Sequence, residues 1–302
     1  LYPFIPYGKV TIIQGDPGEG KTTMVLQIIA KLTRGETILP VDSTKDKRID
    51  IDSESDMVDA ENIENNASTQ HLEAPVNVIY QTAEDGLGDT IKPRLLAAGA
   101  DCTKVMVIDD SEQPLTMADV RLEEAIVQTK ARMVVLDPIQ GFLGSEVDMH
   151  RANEIRPLMK RIAVLAEKYH CAIILIGHMN KNSNGKSSYR GLGSIDIMAA
   201  VRSLLFIGKV KKDPTTRVLI HEKSSLAPPG ETMAFKLGDE EGFRWVGAYE
   251  ISADDLLDGK VGKPTETKLQ RGTKLIYELL ADGNAVTIRE LDEKAKAQGI
   301  SQ

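Results

Sequence analysis

Val10-Thr11-Ile12-Ile13-Gln14-Gly15-Asp16-Pro17-Gly18-Glu19-Gly20-Lys21-Thr22-Thr23 is the stretch on which the reading of this chain turns. A short apolar run, Val10–Gln14, leads into a glycine-rich loop and then into Lys21–Leu32, which reads as a helix. Gly15 to Thr22 fits the pattern G-x-x-x-x-G-K-[ST] in full, between the strand and the helix that give the pattern its meaning. Glycines let backbone N–H groups turn inward around a phosphate. The helix N-terminus adds the positive end of its dipole. Lys21 reaches the β- and γ-phosphates of a nucleotide, and the Thr22 hydroxyl is placed to ligate Mg²⁺. The expected contacts of ATP are therefore Gly15, Asp16, Pro17, Gly18, Glu19, Gly20, Lys21, Thr22 and Thr23, with Mg²⁺ as its companion ion.

Outward from this loop, apolar runs of strand length alternate with amphipathic stretches. Strands are expected at Val76–Tyr80, Val105–Ile108, Met133–Leu136 and Ala172–Ile176, with helices near Thr90–Ala98, Met117–Lys130 and Asn153–Lys168. The strand runs are near-continuous in Val, Ile, Leu and Met, as in strands covered on both faces. Repeated strand–helix order gives an α/β fold, a mostly parallel twisted sheet flanked by helices. After Ala200 the pattern changes to short strands, Ser203–Ile207, Arg217–His221, Met233–Leu237 and Phe243–Val246, read as antiparallel hairpins. Asp213-Pro214 and Pro228-Pro229-Gly230 mark two of the turns.

Residues 43–71 are rich in Asp, Glu, Ser and Asn and are expected to be a mobile surface insertion. Residues 251–270 are polar, contain Gly259, Gly262 and Pro264, and read as a linker between a main domain at 1–250 and a small module at 271–302. In that module Arg271–Ala281 is an amphipathic helix and Asp282-Gly283-Asn284 a turn. Thr287-Ile288-Arg289-Glu290 has capping-box spacing. Gly299 would end the second helix and Ser301 could cap a third. The expectation is a partial winged-helix or helix-turn-helix module.

The 302 residues carry a net charge of −8, which argues against a general basic coat for nucleic acid but leaves room for a local basic lining. Only 4% are aromatic, so few rings are available for stacking on bases. Cys102 and Cys171 show no metal-ligand spacing and read as buried thiols of a reducing, cytoplasmic compartment. No apolar run approaches about 18 residues, and no signal peptide is visible. The chain starts at Leu1 rather than Met, as a piece of a longer protein would.

A phosphate loop needs a metal-orienting acid on a neighbouring strand. Asp137 ends the run Met133-Val134-Val135-Leu136, at the carboxyl end where such sites lie. Val107-Ile108-Asp109-Asp110 is the competing candidate. Hydrolysis also needs a carboxylate to polarise water, and Glu84 follows Val76–Tyr80 through Gln81-Thr82-Ala83, beside Asp85. His178 follows Cys171–Ile176 through Gly177 and leads into the polar loop Met179–Gly193, placed to sense the γ-phosphate.

Together these residues resemble the hexameric RecA-like helicase ATPases, most closely the RepA-type replicative helicase group that includes phage and plasmid ATPases. The resemblance runs from Leu1 to Glu250. Its segments are Gln14–Thr23, Gln81-Thr82-Ala83-Glu84-Asp85, Val134–Pro138, Gly177-His178-Met179-Asn180-Lys181 and Tyr189-Arg190-Gly191-Leu192-Gly193-Ser194. It implies a RecA-like core and a homo-oligomeric, hexameric ring in which ATP sits between subunits and a neighbour donates a basic finger. Related enzymes carry a Lys-x-Arg pair there. This chain has Lys223 with Ser225 in the second position, so Arg202 or Arg190 stands as a substitute. The resemblance also implies strand-engaging loops at Pro138–Arg151 and Met179–Gly193, the latter holding Lys181, Lys186 and Arg190 for single-stranded DNA. Three functions are compatible with these residues: a DNA-translocating ring motor, a repair or recombination ATPase, and a nucleotide-dependent switch for partner assembly.

Overall fold

Six consecutive buried residues, Val10–Gly15, form β1, which lies inside a ten-stranded sheet. The structure, a computed structural model, describes residues 3–38, 57–58, 74–149, 151–178, 195–238, 242–266, 268–281 and 286–300. In chain order the elements are β1, α1 (Lys21–Arg34), β2 (Met57–Val58), β3 (Val78–Thr82), α2 (Lys92–Ala97), β4 (Val105–Met106), α3 (Val120–Thr129), β5 (Met133–Asp137) and α4 (Ala152–Lys168). There follow β6 (Ala172–His178), α5 (Ile195–Ala200), β7 (Ser203–Val210), β8 (Asp213–Ser224), β9 (Met233–Gly238), β10 (Gly242–Glu250), α6 (Ala253–Leu257), β11 (Lys263–Pro264), α7 (Lys268–Leu279), β12 (Val286–Thr287) and α8 (Ile288–Ala297).

The sheet runs β11-β10-β9-β8-β7-β1-β6-β5-β3-β4. β1 pairs in parallel with β6 and β7, and β6, β5, β3 and β4 continue in parallel. From β7 outward, β8, β9 and β10 are antiparallel. The expected α/β architecture is what the chain forms. One face of the parallel part packs Ile12, Val134, Leu136, Ile173 and Leu175 against Leu122, Ile126, Ile155, Met159 and Ile162 of α3 and α4. The residues of α1 that are buried include Met24, Val25, Ile28 and Ile29.

Several boundaries differ from the sequence reading. β8 is twelve residues long, because ladder pairing carries it past the apolar stretch 217–221 at both ends. The β7–β8 turn is Lys211-Lys212, and Asp213-Pro214 already belongs to the strand, with Asp213 accepting from Thr215 and Thr216. β7 is parallel to β1 on its inner side and antiparallel only to β8. Ser252 caps α6 inside the stretch read as linker, and Leu256 of that helix is buried with Phe206, Val210 and Tyr249. Cys171 is buried, and burial pushes its thiol up to about 12, whereas Cys102 is only half-buried. Of the expected insertion 43–71, only Met57–Val58 is described, and it is a strand. The Asp282-Gly283-Asn284 turn and Ser301 lie outside the described residues. None of the described helices is long and apolar enough to cross a membrane.

Two compact units divide the chain: Leu1–Ile38 with Glu73–Lys263, and Leu39–Leu72 with Pro264–Gln302. In the second, β2 pairs antiparallel with β12 and a small apolar cluster gathers Leu280, Val286, Ile276, Leu279 and Ile288. Thr287 caps α8, its hydroxyl accepting from the Glu290 N–H at 3.2 Å. Gly299 follows with φ +64.

In the first unit a buried polar chain ties the N-terminal segment to the antiparallel strands. His221 Nδ1 accepts from the Gly230 N–H at 2.9 Å, so Nε2 carries the proton that faces Ser203 Oγ at 3.0 Å. Ser203 in turn donates to the Phe4 carbonyl at 2.5 Å, and Phe4 stacks on the His221 ring. Burial lowers the His221 pKa below that of a free histidine. The unfolded chain therefore takes up the His221 proton first as pH falls. The stability contributed here is complete above about pH 6.5 and is lost on acidification below it. The thermal midpoint should fall between pH 7 and pH 5, and His221→Gln should flatten that fall. An unchanged pH slope in the variant would contradict the assignment.

Candidate functional site

The loop Gly15–Gly20 leaves β1 and enters α1 at the carboxyl edge of the parallel strands. Its first glycine is dictated by space: a Cβ on Gly15 would stand 2.2 Å from the Ile207 carbonyl oxygen of β7. Its last, Gly20, is dictated by conformation, with φ +88. No side chain caps α1, so helix geometry leaves the first-turn N–H groups of Lys21, Thr22 and Thr23 open at the loop. That is an anion-binding arrangement. Behind it Gly20 rests on the antiparallel strands, 3.0 Å from Leu237 and 3.7 Å from Phe235 when a Cβ is placed on it.

Lys21 is 4% exposed. Its ammonium donates to the carbonyls of Gly15 and Asp16, each at 2.8 Å, and meets His178 Nδ1 at 3.3 Å. Burial lowers its pKa, opposed chiefly by the Asp137 charge. A lysine can only donate, so His178 Nδ1 accepts, and Nε2 carries the ring proton. That nitrogen lies 3.8 Å from Glu84 Oε2. Lys21, His178 and Glu84 thus stand in line, contributed by the starts and ends of three different elements.

Asp137 ends β5 and is 7% exposed. Its Oδ2 accepts from Thr22 Oγ1 at 2.7 Å and from Tyr80 Oη at 2.9 Å. Burial raises its pKa, while the Thr22 and Tyr80 hydroxyls and Lys21 hold it down. The competing acid Asp109 is exposed and turned to Ser111, from whose N–H and hydroxyl it accepts. The Asp85 carboxylate is taken by Arg94 at 3.4 Å, which leaves Glu84 as the acid facing His178. Glu84 is itself largely exposed and is placed by its backbone. Ala83 N–H donates to the Asp137 carbonyl at 3.0 Å, and the Glu84 and Asp85 N–H groups both donate to Thr82 Oγ1.

The residues present fit Mg-ATP. Open helix N–H groups and Lys21 suit the phosphates, and Thr22 with Asp137 suits the cation. Among the described residues no three His, Cys, Asp or Glu side chains gather at one point. Mg²⁺ in such a site takes only one or two side chains plus the nucleotide's own oxygens.

Other expected residues are placed differently. Lys223 donates to the Met198 and Ala199 carbonyls at 2.8 and 3.3 Å, at the end of α5 in its own chain. Arg202 is exposed at the start of β7. In the loop Pro138–Arg151, Ile139, Phe142 and Leu143 are buried in the core, so only its later part is a surface loop. Lys181, Lys186 and Arg190 lie outside the described residues. Tyr80 escaped the sequence reading, although a phenol within Val78-Ile79-Tyr80 is a signal, since a buried hydroxyl seeks a partner.

The family described as an AAA domain matches residues 1–184. The chain belongs to the AAA domain family. No curated protein matches it. Solved structures similar to it include a KaiC-like protein from Pyrococcus horikoshii OT3, 14% identical, with TM-score 0.51 over 80% of this chain and 91% of that one. The ATPase domain of G40P is 13% identical, with TM-score 0.51 over 80% of this chain and 85% of that one. At these identities the likeness shows the fold alone, and that fold is RecA-like.

Gly141, in the turn after Asp137, would place a Cβ 2.2 Å from the Cβ of Ala83. Gly141→Ala should displace the Ala83–Glu84 backbone and leave the phosphate loop alone. ATP turnover should drop by about 10- to 10²-fold while nucleotide affinity stays within about twofold. Equal losses in both would show that the substitution disturbs the loop as well.

Proposed function

We propose that this chain hydrolyses Mg-ATP and that a ring of identical subunits, hexameric as in the RepA-type group, uses the cycle to move on single-stranded DNA as a replicative helicase. The observation that carries the reading is the line Lys21–His178–Glu84 beside Thr22–Asp137. Each group has one task. The loop N–H groups and Lys21 hold the phosphates. Thr22 and Asp137 would hold the cation, whose chemistry when bound would be to neutralise charge on the phosphates. Glu84 takes the proton of the attacking water. All three Lys21 donors are committed to Gly15, Asp16 and His178, so a γ-phosphate must displace one of them. His178 is the partner best placed to register that exchange, because in the sequence it leads directly into the stretch 179–193 that carries Lys181, Lys186 and Arg190.

The DNA part of the reading rests on sequence resemblance, through Gln81–Asp85 and Tyr189–Ser194, and on Lys181, Lys186 and Arg190. The finger supplied to the neighbouring site is assigned to Arg202 ahead of Lys223, whose ammonium is held by the end of α5 in the same chain. A recombination or repair ATPase would use the same site, and strand separation is what distinguishes the two.

Glu84→Gln should leave ATP affinity unchanged and lower kcat by on the order of 10²-fold or more. A silent Glu84→Gln beside a damaging Asp85→Asn would move the acid to Asp85. Single-stranded DNA should raise the ATPase rate. Neutralising Lys181, Lys186 and Arg190 together should remove that stimulation and make the slope of log K against log salt shallower. Stimulation without any strand separation would favour the recombination reading. No response to DNA would sink both in favour of a nucleotide-dependent switch.

A further inference from the structure

Tyr80 is fully buried in the middle of β3, a parallel strand, between Ile79 and Gln81. Phenylalanine would fill the same space without a hydroxyl to satisfy, so packing alone does not account for the phenol. The register explains where the hydroxyl goes. Tyr80 stands opposite Val135 and Thr82 opposite Asp137, so Asp137 is the diagonal neighbour toward the carboxyl edge. Tyr80 Oη reaches its Oδ2 at 2.9 Å.

Thr22 donates to that same oxygen at 2.7 Å. Two donors from different elements on one oxygen fix the rotation of the carboxylate. They also leave Oδ1 as the oxygen that neither hydroxyl occupies. With its proton committed to Asp137, the Thr22 hydroxyl has only lone pairs to offer a further partner.

We propose that Tyr80 is a positioning residue for the metal of the nucleotide site, acting through Asp137 to set the direction of the groups that hold Mg²⁺. The inference rests on the Mg-ATP reading of the site. It differs from a packing role because it predicts an effect on metal affinity that requires Asp137. Outer partners of metal-holding groups commonly set affinity by 10–100-fold.

The test is Tyr80→Phe, which keeps the ring and the strand. Binding of a fluorescent ADP analogue to the full chain is followed while Mg²⁺ is titrated. The half-saturating Mg²⁺ concentration should rise about tenfold, with affinity for the metal-free analogue unchanged. In an Asp137→Asn background, adding Tyr80→Phe should change the Mg²⁺ requirement by less than about twofold, because the pair acts as one unit. An unaltered Mg²⁺ requirement in Tyr80→Phe, or an equal effect with and without Asp137, would overturn the proposal while leaving the nucleotide site standing. Failure of the unsubstituted chain to bind the analogue at all would overturn both.

Discussion

A lysine that is only 4% exposed is the constraint around which this molecule is arranged. An isolated buried cation is prohibitively costly, so it must be met by oxygen, nitrogen and opposing charge from several directions. Lys21 finds the Gly15 and Asp16 carbonyls on one side, His178 from the end of β6 on another, and the Asp137 charge from the end of β5. These partners meet only if β1, β6 and β5 are adjacent, parallel and in register, which places Gly15 opposite His178. The close approach of Gly15 to Ile207 sets the other side of β1. A phosphate site at the carboxyl edge is thus a consequence of how the central strands align.

What was legible in the sequence follows from range. The phosphate loop, the strand-end Asp137 and the alternation of buried strands with helices are local patterns, each readable in a window of a few residues, whereas the order of strands in the sheet is set by pairings between segments far apart in the chain. Glu84 could be named ahead of Asp85, but the contact that separates the two was not legible: Arg94, nine residues on, engages Asp85. The Tyr80 phenol is a signal in the sequence, but its partner is not, since Asp137 is 57 positions away. Lys223 could not be seen as a helix-end ligand, because Met198 and Ala199 reach it only through the β7–β8 pairing. α6 was missed for a related reason. Five residues are too few to show periodicity, and the helix exists by virtue of the Ser252 cap and the burial of Leu256.

The low aromatic content takes on a different meaning in the fold. The rings of Phe235, Phe243 and Trp245 cluster on β9 and β10, with centroids 5.0 to 5.6 Å apart. Phe235 is also among the side chains nearest Gly20. Part of the chain's small stock of rings is therefore spent on bracing the phosphate loop from the antiparallel side. The late hairpins are not an appendage to the nucleotide core but the surface on which its loop rests.

Charge balance leads to the same conclusion. Besides Lys21 the loop carries two acids, Asp16 and Glu19, which by themselves would give an anion-binding loop a negative net charge. Glu19 is half-buried. Burial raises its pKa, and Lys209 of β7 and Arg217 of β8 are the principal opposing charges. Arg217 is itself buried, donating to the Pro214, Thr215 and Leu237 carbonyls, and its Nε lies 3.8 Å from the position of a Cβ on Gly20. A fixed guanidinium with no freedom to leave is a suitable counterweight to an acid in a loop that must receive phosphate, because it costs no reorganisation when the anion arrives. The parallel strands supply the groups that would act on the phosphates and the metal. The antiparallel strands supply the positive charge that makes the loop tolerable to them, and neither part of the sheet would suffice for the site without the other.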